Sequence, residues 1–204
     1  MATKTQATAE VRKINRQHVT ITIKGISPVQ THRFGEKARQ QLYDSTILKK
    51  SRTGKKMERD PEEEYKEALY AFGDGKVGFP SIMVKKAMVN ACRLTDIPMT
   101  DAKQMFFVWG PDHDLKDYVP VNHVEPELHE AIVPAAKGKG ATLSYRALYP
   151  EEWEADIVIE HVPEVISVDS LVNLLNLAGF SVGIGCQRPE RGGQYGRFEV
   201  MTDG

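Results

Sequence analysis

The residues whose types and spacing bear most directly on chemistry lie between positions 167 and 201, SVDSLVNLLNLAGFSVGIGCQRPERGGQYGRFEVM. Gly183, Gly185, Gly192, Gly193 and Gly196 are interleaved there with Arg188, Arg191, Tyr195 and Arg197. Glycines let a backbone approach a ligand closely and present its N–H groups, while arginines supply planar, permanently charged forks that match phosphate oxygens. The pattern points to a phosphate chain, with Tyr195 available to stack on a base. The competing reading is a closure in which the glycines serve tight turns alone. A dinucleotide fingerprint is excluded by order: that motif runs strand, glycine loop, helix, and here the helix comes first.

Two further stretches are basic. Between positions 47 and 59 stand Lys49, Lys50, Arg52, Lys55, Lys56 and Arg59, opposed by Glu58 alone. So much charge with so little apolar content describes an exposed finger, suited to clamping a nucleic-acid backbone. Read without function, it is a solvated loop balanced by the acidic DPEEEYKE that follows. His32, Arg33 and Lys37 form the third cluster, in the turn and helix that follow the first strand. The histidines at 18, 32, 113, 123, 129 and 161 never fall at H-x-x-x-H spacing. His113, His123 and His129, with Glu125 and Glu127 nearby, are too irregularly spaced for a metal motif. No metal and no cofactor is expected.

The totals restrict these readings. Lys+Arg 27 against Asp+Glu 28 gives a formal charge of -1, which excludes a globally basic nucleic-acid binder. Any anion site must be a local patch. The two cysteines, Cys92 and Cys186, are far apart, no secretory signal opens the chain, and no apolar run approaches the roughly 18 residues of a membrane span. The expectation is a cytoplasmic protein with reduced thiols and no membrane partner.

The elements that must position these residues are read from periodicity. Val19, Ile21 and Ile23 alternate with threonines as in a half-buried strand, and residues 153–161 alternate in the same way. Helices are expected at 34–43, at 61–70 behind the Asp60 cap, from Pro80 through 94, and from Ser167 to a left-handed stop at Gly179. Strands are expected at 104–109, 117–121, 128–133 and 142–148. Residues 1–17 read as a mobile arm, and 18–204 as one domain with the basic insertion at 47–59. The order folds as β-α-β-β-α-β with insertions. That is an α+β, ferredoxin-like or RRM-like antiparallel sheet with helices on one face and a C-terminal glycine-rich loop.

The segment LLNLAGFSVGIGCQRPERGGQYGRFEV resembles the glycine-rich signature of the RAMP superfamily, the RNA-binding subunits of CRISPR effector complexes. The resemblance is carried by Gly183, Gly185, Arg188, Gly192, Gly193, Gly196, Arg197 and Phe198. GFPSIMVKKAMVNAC is similar to the helix that follows the first strand in such proteins. The chain also resembles proteins of phages and prophages. What the resemblance implies is a non-catalytic subunit that grips single-stranded RNA, or DNA, through backbone contacts. It would polymerise along the strand as a homo-oligomer or sit in a nucleoprotein complex, in a bacterial or phage-infected cell. Some relatives cut RNA with a histidine, which would put His32 in that role with Tyr43 or Lys37 as helper, as a metal-independent endoribonuclease. Two other expectations are a phage strand-annealing protein and a protein-interaction or inhibitor module acting through DPEEEYKE and PEEWEAD.

Overall fold

The computed structural model describes residues 13–47, 60–72, 75–134 and 140–201. The chain opens with strands β1 (Gln17–Gly25) and β2 (Val29–Thr31), helices α1 (Glu36–Thr46) and α2 (Pro61–Ala68), and strands β3 (Tyr70–Ala71) and β4 (Val77–Pro80). Helices α3 (Ile82–Ala91) and α4 (Met99–Met105) follow, then β5 (Phe106–Trp109), β6 (Tyr118–Pro120), β7 (Glu127–Pro134), β8 (Ala141–Tyr149) and β9 (Glu154–His161). Helix α5 (Val168–Ser181) and β10 (Phe198–Val200) complete it.

Four strands form one antiparallel sheet in the order β10-β1-β9-β5. With α3 between β1 and β5 and α5 between β9 and β10, this is the ferredoxin-like β-α-β-β-α-β arrangement, strand order 4-1-3-2. The alternation in β1 and β9 explains its two faces. Ile21, Ile23, Ala155, Ile157 and Ile159 are buried, while the residues between them point the other way. Helices α3 and α5 cover the apolar side. Val84, Ala87, Met88 and Ala91 on α3 repeat at the i, i+3, i+4, i+7 spacing of Leu171, Leu174, Leu175 and Ala178 on α5, and all are buried. Each fully buried leucine contributes about 1.5–3 kcal/mol. The Ser167 hydroxyl accepts from the Ser170 amide at 3.2 Å and caps α5, a contact worth about 1 kcal/mol.

The two long connections fold against each other. Strand β2 pairs with β8, and β7 extends that sheet, while β4 lies between β3 and β6 in a third sheet. Each sheet thus draws strands from both insertions. Trp153 is the joint: fully buried, it donates its Nε1 hydrogen to the Ser27 carbonyl at 3.0 Å and meets Phe79 edge-on at 5.9 Å.

Several local expectations are corrected. Helix α5 does not stop at Gly179 but runs to Ser181, and the left-handed residue is Gly183, with φ +68°. Gly179 is glycine for a different reason: a Cβ there would sit 1.9 Å from the Phe198 carbonyl oxygen, so the helix lies directly on β10. Pro80 ends β4 instead of opening a helix, and residues 104–105 close α4 instead of starting β5. Strands β2, β3 and β4 and helix α4 carry no periodic signal, because elements of two to seven residues are stabilised by their pairing partners and not by local preference. Among the described residues no helix is long and apolar enough to cross a membrane.

Candidate nucleic-acid interface

The glycine-rich segment leaves α5, crosses the edge of β2 and returns as β10. It is tied down along its length. The Cys186 amide donates to the Gln30 carbonyl at 2.8 Å, the Gly196 amide to the Pro28 carbonyl at 2.7 Å, and the Arg197 amide to the Ser27 hydroxyl at 2.9 Å. Gly183, Gly185, Gly192 and Gly196 all take φ between +68° and +78°. At Gly185 a second constraint applies, since a Cβ would fall 2.2 Å from the Gln30 carbonyl oxygen. Gly193 packs on the Gln187 carbonyl with the same intimacy. The glycines therefore shape a rigid loop held against β2.

The arginines of the loop divide by role. Arg188 turns inward: its Nη2 and Nε donate to Glu190 Oε2 at 2.6 and 3.1 Å, and its Nη1 to the Gly185 carbonyl at 3.1 Å. Glu190 also accepts from Asn90 Nδ2 at 2.8 Å and pairs with Arg93 at 3.6 Å. Such charge-assisted contacts brace the loop on α3. Arg197 lies over the Phe180 ring at 5.4 Å, and Arg191 is exposed.

Tyr195 points toward the hairpin β7–β8, where its ring meets His129 edge-on at 6.4 Å. His129 stands opposite Arg146 in the β7–β8 register, so the two share a face. Arg146 reaches across to β2 and donates to Gln30 Oε1 at 3.2 Å. Gln30 is fully buried, and its Nε2 has no hydrogen-bond partner among the described residues. Past the end of β2 come His32 and Arg33, both exposed, with the Arg33 amide fixed to the Ala68 carbonyl at 2.9 Å. His32 is held below the ordinary imidazole pKa, first by partial withdrawal from water and then by the Arg146 charge, with Glu64 opposing. The Tyr70 phenol, at the start of β3, is pushed up by burial first and then by Cys186, while Arg33 pulls it down.

One surface around β2 thus gathers Tyr195, His32 and Arg33 from the expected set and adds His129 and Arg146. Arg146 carries a sequence signal that periodicity alone passes over: a single cation in mid-strand between the buried Tyr145 and Ala147. Lys37 lies on α1, and its side chain is outside the described residues, as are Lys49, Lys50, Arg52, Lys55, Lys56 and Arg59. His123 pairs with Glu154 at 3.2 Å, away from the His129–Tyr195 contact. Among the described residues no group of three histidine, cysteine or carboxylate side chains is placed to hold a metal. Both cysteines are free thiols.

No protein-family model and no curated protein matches the chain. Solved structures similar to it include a chain of the type III-B Cmr-beta complex bound to cognate target RNA, at 9% identity and TM-score 0.46, covering 92% of this chain and 59% of that one. Cmr6 from Pyrococcus furiosus is similar at 8% identity and TM-score 0.44, covering 92% and 98%. A Cas6 product complex is similar at 12% identity and TM-score 0.33, covering 90% and 51%. The chain spans less than two thirds of the first of these, and at such identities no residue role transfers to it.

Proposed function

We propose that the chain binds single-stranded nucleic acid across the surface around β2. The observation that carries this reading is the convergence of Arg146, Arg33, His32, His129 and Tyr195 beside a rigid glycine loop, in a protein with no net positive charge. The cations supply contacts to phosphates, and Tyr195 and His129 supply faces on which unpaired bases stack. A duplex hides those faces. Arg188 acts as a brace, and Arg191 with the basic residues between 47 and 59 adds further positive charge. A preference for RNA over DNA, and several copies arrayed along one strand, are the finer parts of the proposal. They draw on the resemblance of the glycine-rich segment.

The test is fluorescence anisotropy with labelled single strands and duplexes at several salt concentrations. Binding is expected to favour single strands, with the logarithm of affinity falling linearly as the logarithm of salt rises. Absent or salt-insensitive binding overturns the proposal. Particle size measured with oligonucleotides of increasing length tests the array: stepwise growth supports it, and a constant one-to-one complex removes it.

A second reading is favoured by one observation, that two histidines flank Arg146. Metal-independent strand cleavage on the same surface would use His32 or His129 as the proton-transfer group. It predicts cleavage in the presence of chelator that His32→Ala or His129→Ala abolishes, and RNA left intact after long incubation rules it out.

A further inference from the structure

Strands β3, β4 and β6 form a small sheet whose register sets Tyr70 opposite Gly78, Gly78 opposite Pro120, and Pro80 opposite Tyr118. One side of this sheet, with Phe79 and Val119, is fully buried. The other carries Tyr70, Phe72 and Tyr118, the last two with ring centroids 4.9 Å apart. Beside this pair is a cavity of about 290 Å³, lined by Phe72, Tyr118, Leu115 and Pro120, with Lys76 and Asp112 as its charged members. The turn between β5 and β6 that borders it is closely packed. The Gly110 amide donates to the Lys116 carbonyl at 2.6 Å, and a Cβ on Gly110 would fall 1.7 Å from the Tyr118 carbonyl oxygen.

We infer that this cavity takes one unpaired nucleobase of the strand bound around β2, held against Tyr118 and Phe72. The inference rests on the proposed nucleic-acid function and adds a base-recognition site to it. Three features choose this occupant. The volume lies at the lower end of small-molecule sites, about 300–1,000 Å³, which suits a single planar ring system and not a longer segment. The lining offers the Phe72–Tyr118 ring pair, aromatic surface on which a base stacks. The site also continues from the basic surface. The Arg33 amide is tied to the Ala68 carbonyl at 2.9 Å, and the chain runs from Ala68 through Tyr70 to Phe72 in the cavity wall.

The test is photocrosslinking of single-stranded RNA carrying 5-iodouridine at successive positions, with mass spectrometry of the adduct, alongside anisotropy with wild type and Tyr118→Ala. Crosslinks to Tyr118 or Phe72 are expected, with about a tenfold loss of affinity in Tyr118→Ala. An RNA with one abasic position should weaken binding to wild type and not to the variant. Wild-type crosslinking stays informative if the variant fails to fold. RNA that binds but crosslinks elsewhere, with Tyr118→Ala unchanged, overturns this inference and leaves the function standing. Poly-L-proline that binds wild type and not Tyr118→Ala, with RNA affinity unchanged, assigns the cavity to a protein partner and also overturns it. No binding of any single strand removes both.

Discussion

Two faces of the molecule are built from the same ingredients and differ in how many carboxylates stand beside the rings. On the uncovered side of the ferredoxin-like sheet, Phe107 and Trp109 stack with centroids 6.3 Å apart and 14° between their planes. Trp109 Nε1 donates to Glu160 Oε2 at 3.2 Å, Arg16 pairs with Glu160 at 3.3 Å, and Lys85 lies 4.0 Å above the Phe107 ring. The alternation that buries Ala155, Ile157 and Ile159 also turns Glu154, Asp156 and Glu160 outward, and Glu199 of β10 is exposed. Around β2 the His129 ring has Tyr195 beside it and Arg146 opposite it instead, with His32 within reach of the Arg146 charge. Aromatic surface on a strand is common to both. Where carboxylates stand among the cations, as on the sheet, the attraction for a phosphate chain is weaker.

The comparison breaks most decisively at Arg33 and Arg146. Removing both, as Arg33→Ala with Arg146→Ala, should lower single-strand affinity about a hundredfold at low salt and flatten its salt dependence, since a hydrogen bond to a charged group contributes about 1.5–3 kcal/mol. Anisotropy measures this, with a melting curve to show that the double variant is folded. A loss no greater than that of any two surface arginines would erase the distinction between the faces.

The next largest effect concerns the loop that shapes the basic face. Gly185→Ala meets both a positive φ and the Gln30 carbonyl and should cost about 3 kcal/mol of stability, whereas Gly192→Ala, with open space around it, should cost about 1 kcal/mol. Denaturant unfolding of the two variants gives the difference directly. Equal costs would mean that the loop is not held on β2 in solution.

A smaller effect follows from His32. Its folded pKa lies below the unfolded value of about 6.5, so the free protein is stabilised by neutral His32 above that pH and loses this contribution as pH falls through the folded value. A bound phosphate favours the imidazolium, so binding takes up a proton. Affinity should rise about threefold from pH 8 to pH 6 in wild type and stay level in His32→Gln. A fall in wild-type affinity over that range would place His32 away from the strand. The smallest change is expected on the opposite face, where Trp109→Ala or Glu160→Gln should alter single-strand affinity by less than about twofold. A tenfold weakening in Trp109→Ala would show that the strand crosses the sheet after all.

Much of the frame was legible in the chain. The alternation of Val19, Ile21 and Ile23, the apolar stripes of α3 and α5, and the Asp60 and Ser167 caps all appear in the structure as read. Local chemistry determines such features, because side chains repeat in phase with the backbone. Arg188 shows where local reading stops. In sequence it is one of three loop arginines, and only the fold shows that its partner Glu190 also meets Asn90 of α3 and Arg93 just beyond that helix. His129 and Tyr195, 66 positions apart in number, meet because β7 pairs with β8, β8 with β2, and Gln30 of β2 with Cys186.

By itself, then, the sequence determined that the chain folds as β-α-β-β-α-β, that its total charge forbids a diffuse anion site, and that a glycine- and arginine-rich loop follows the last helix. The tertiary structure decided that Arg188 turns inward onto Glu190 while Arg191 and Arg33 are exposed. It also decided that the two insertions interlock, that the loop lies on β2, and that Phe72 and Tyr118 enclose a cavity beside the basic face. Patterns of burial and capping act over a few residues. A site made from distant strands depends on pairing partners that no short window contains.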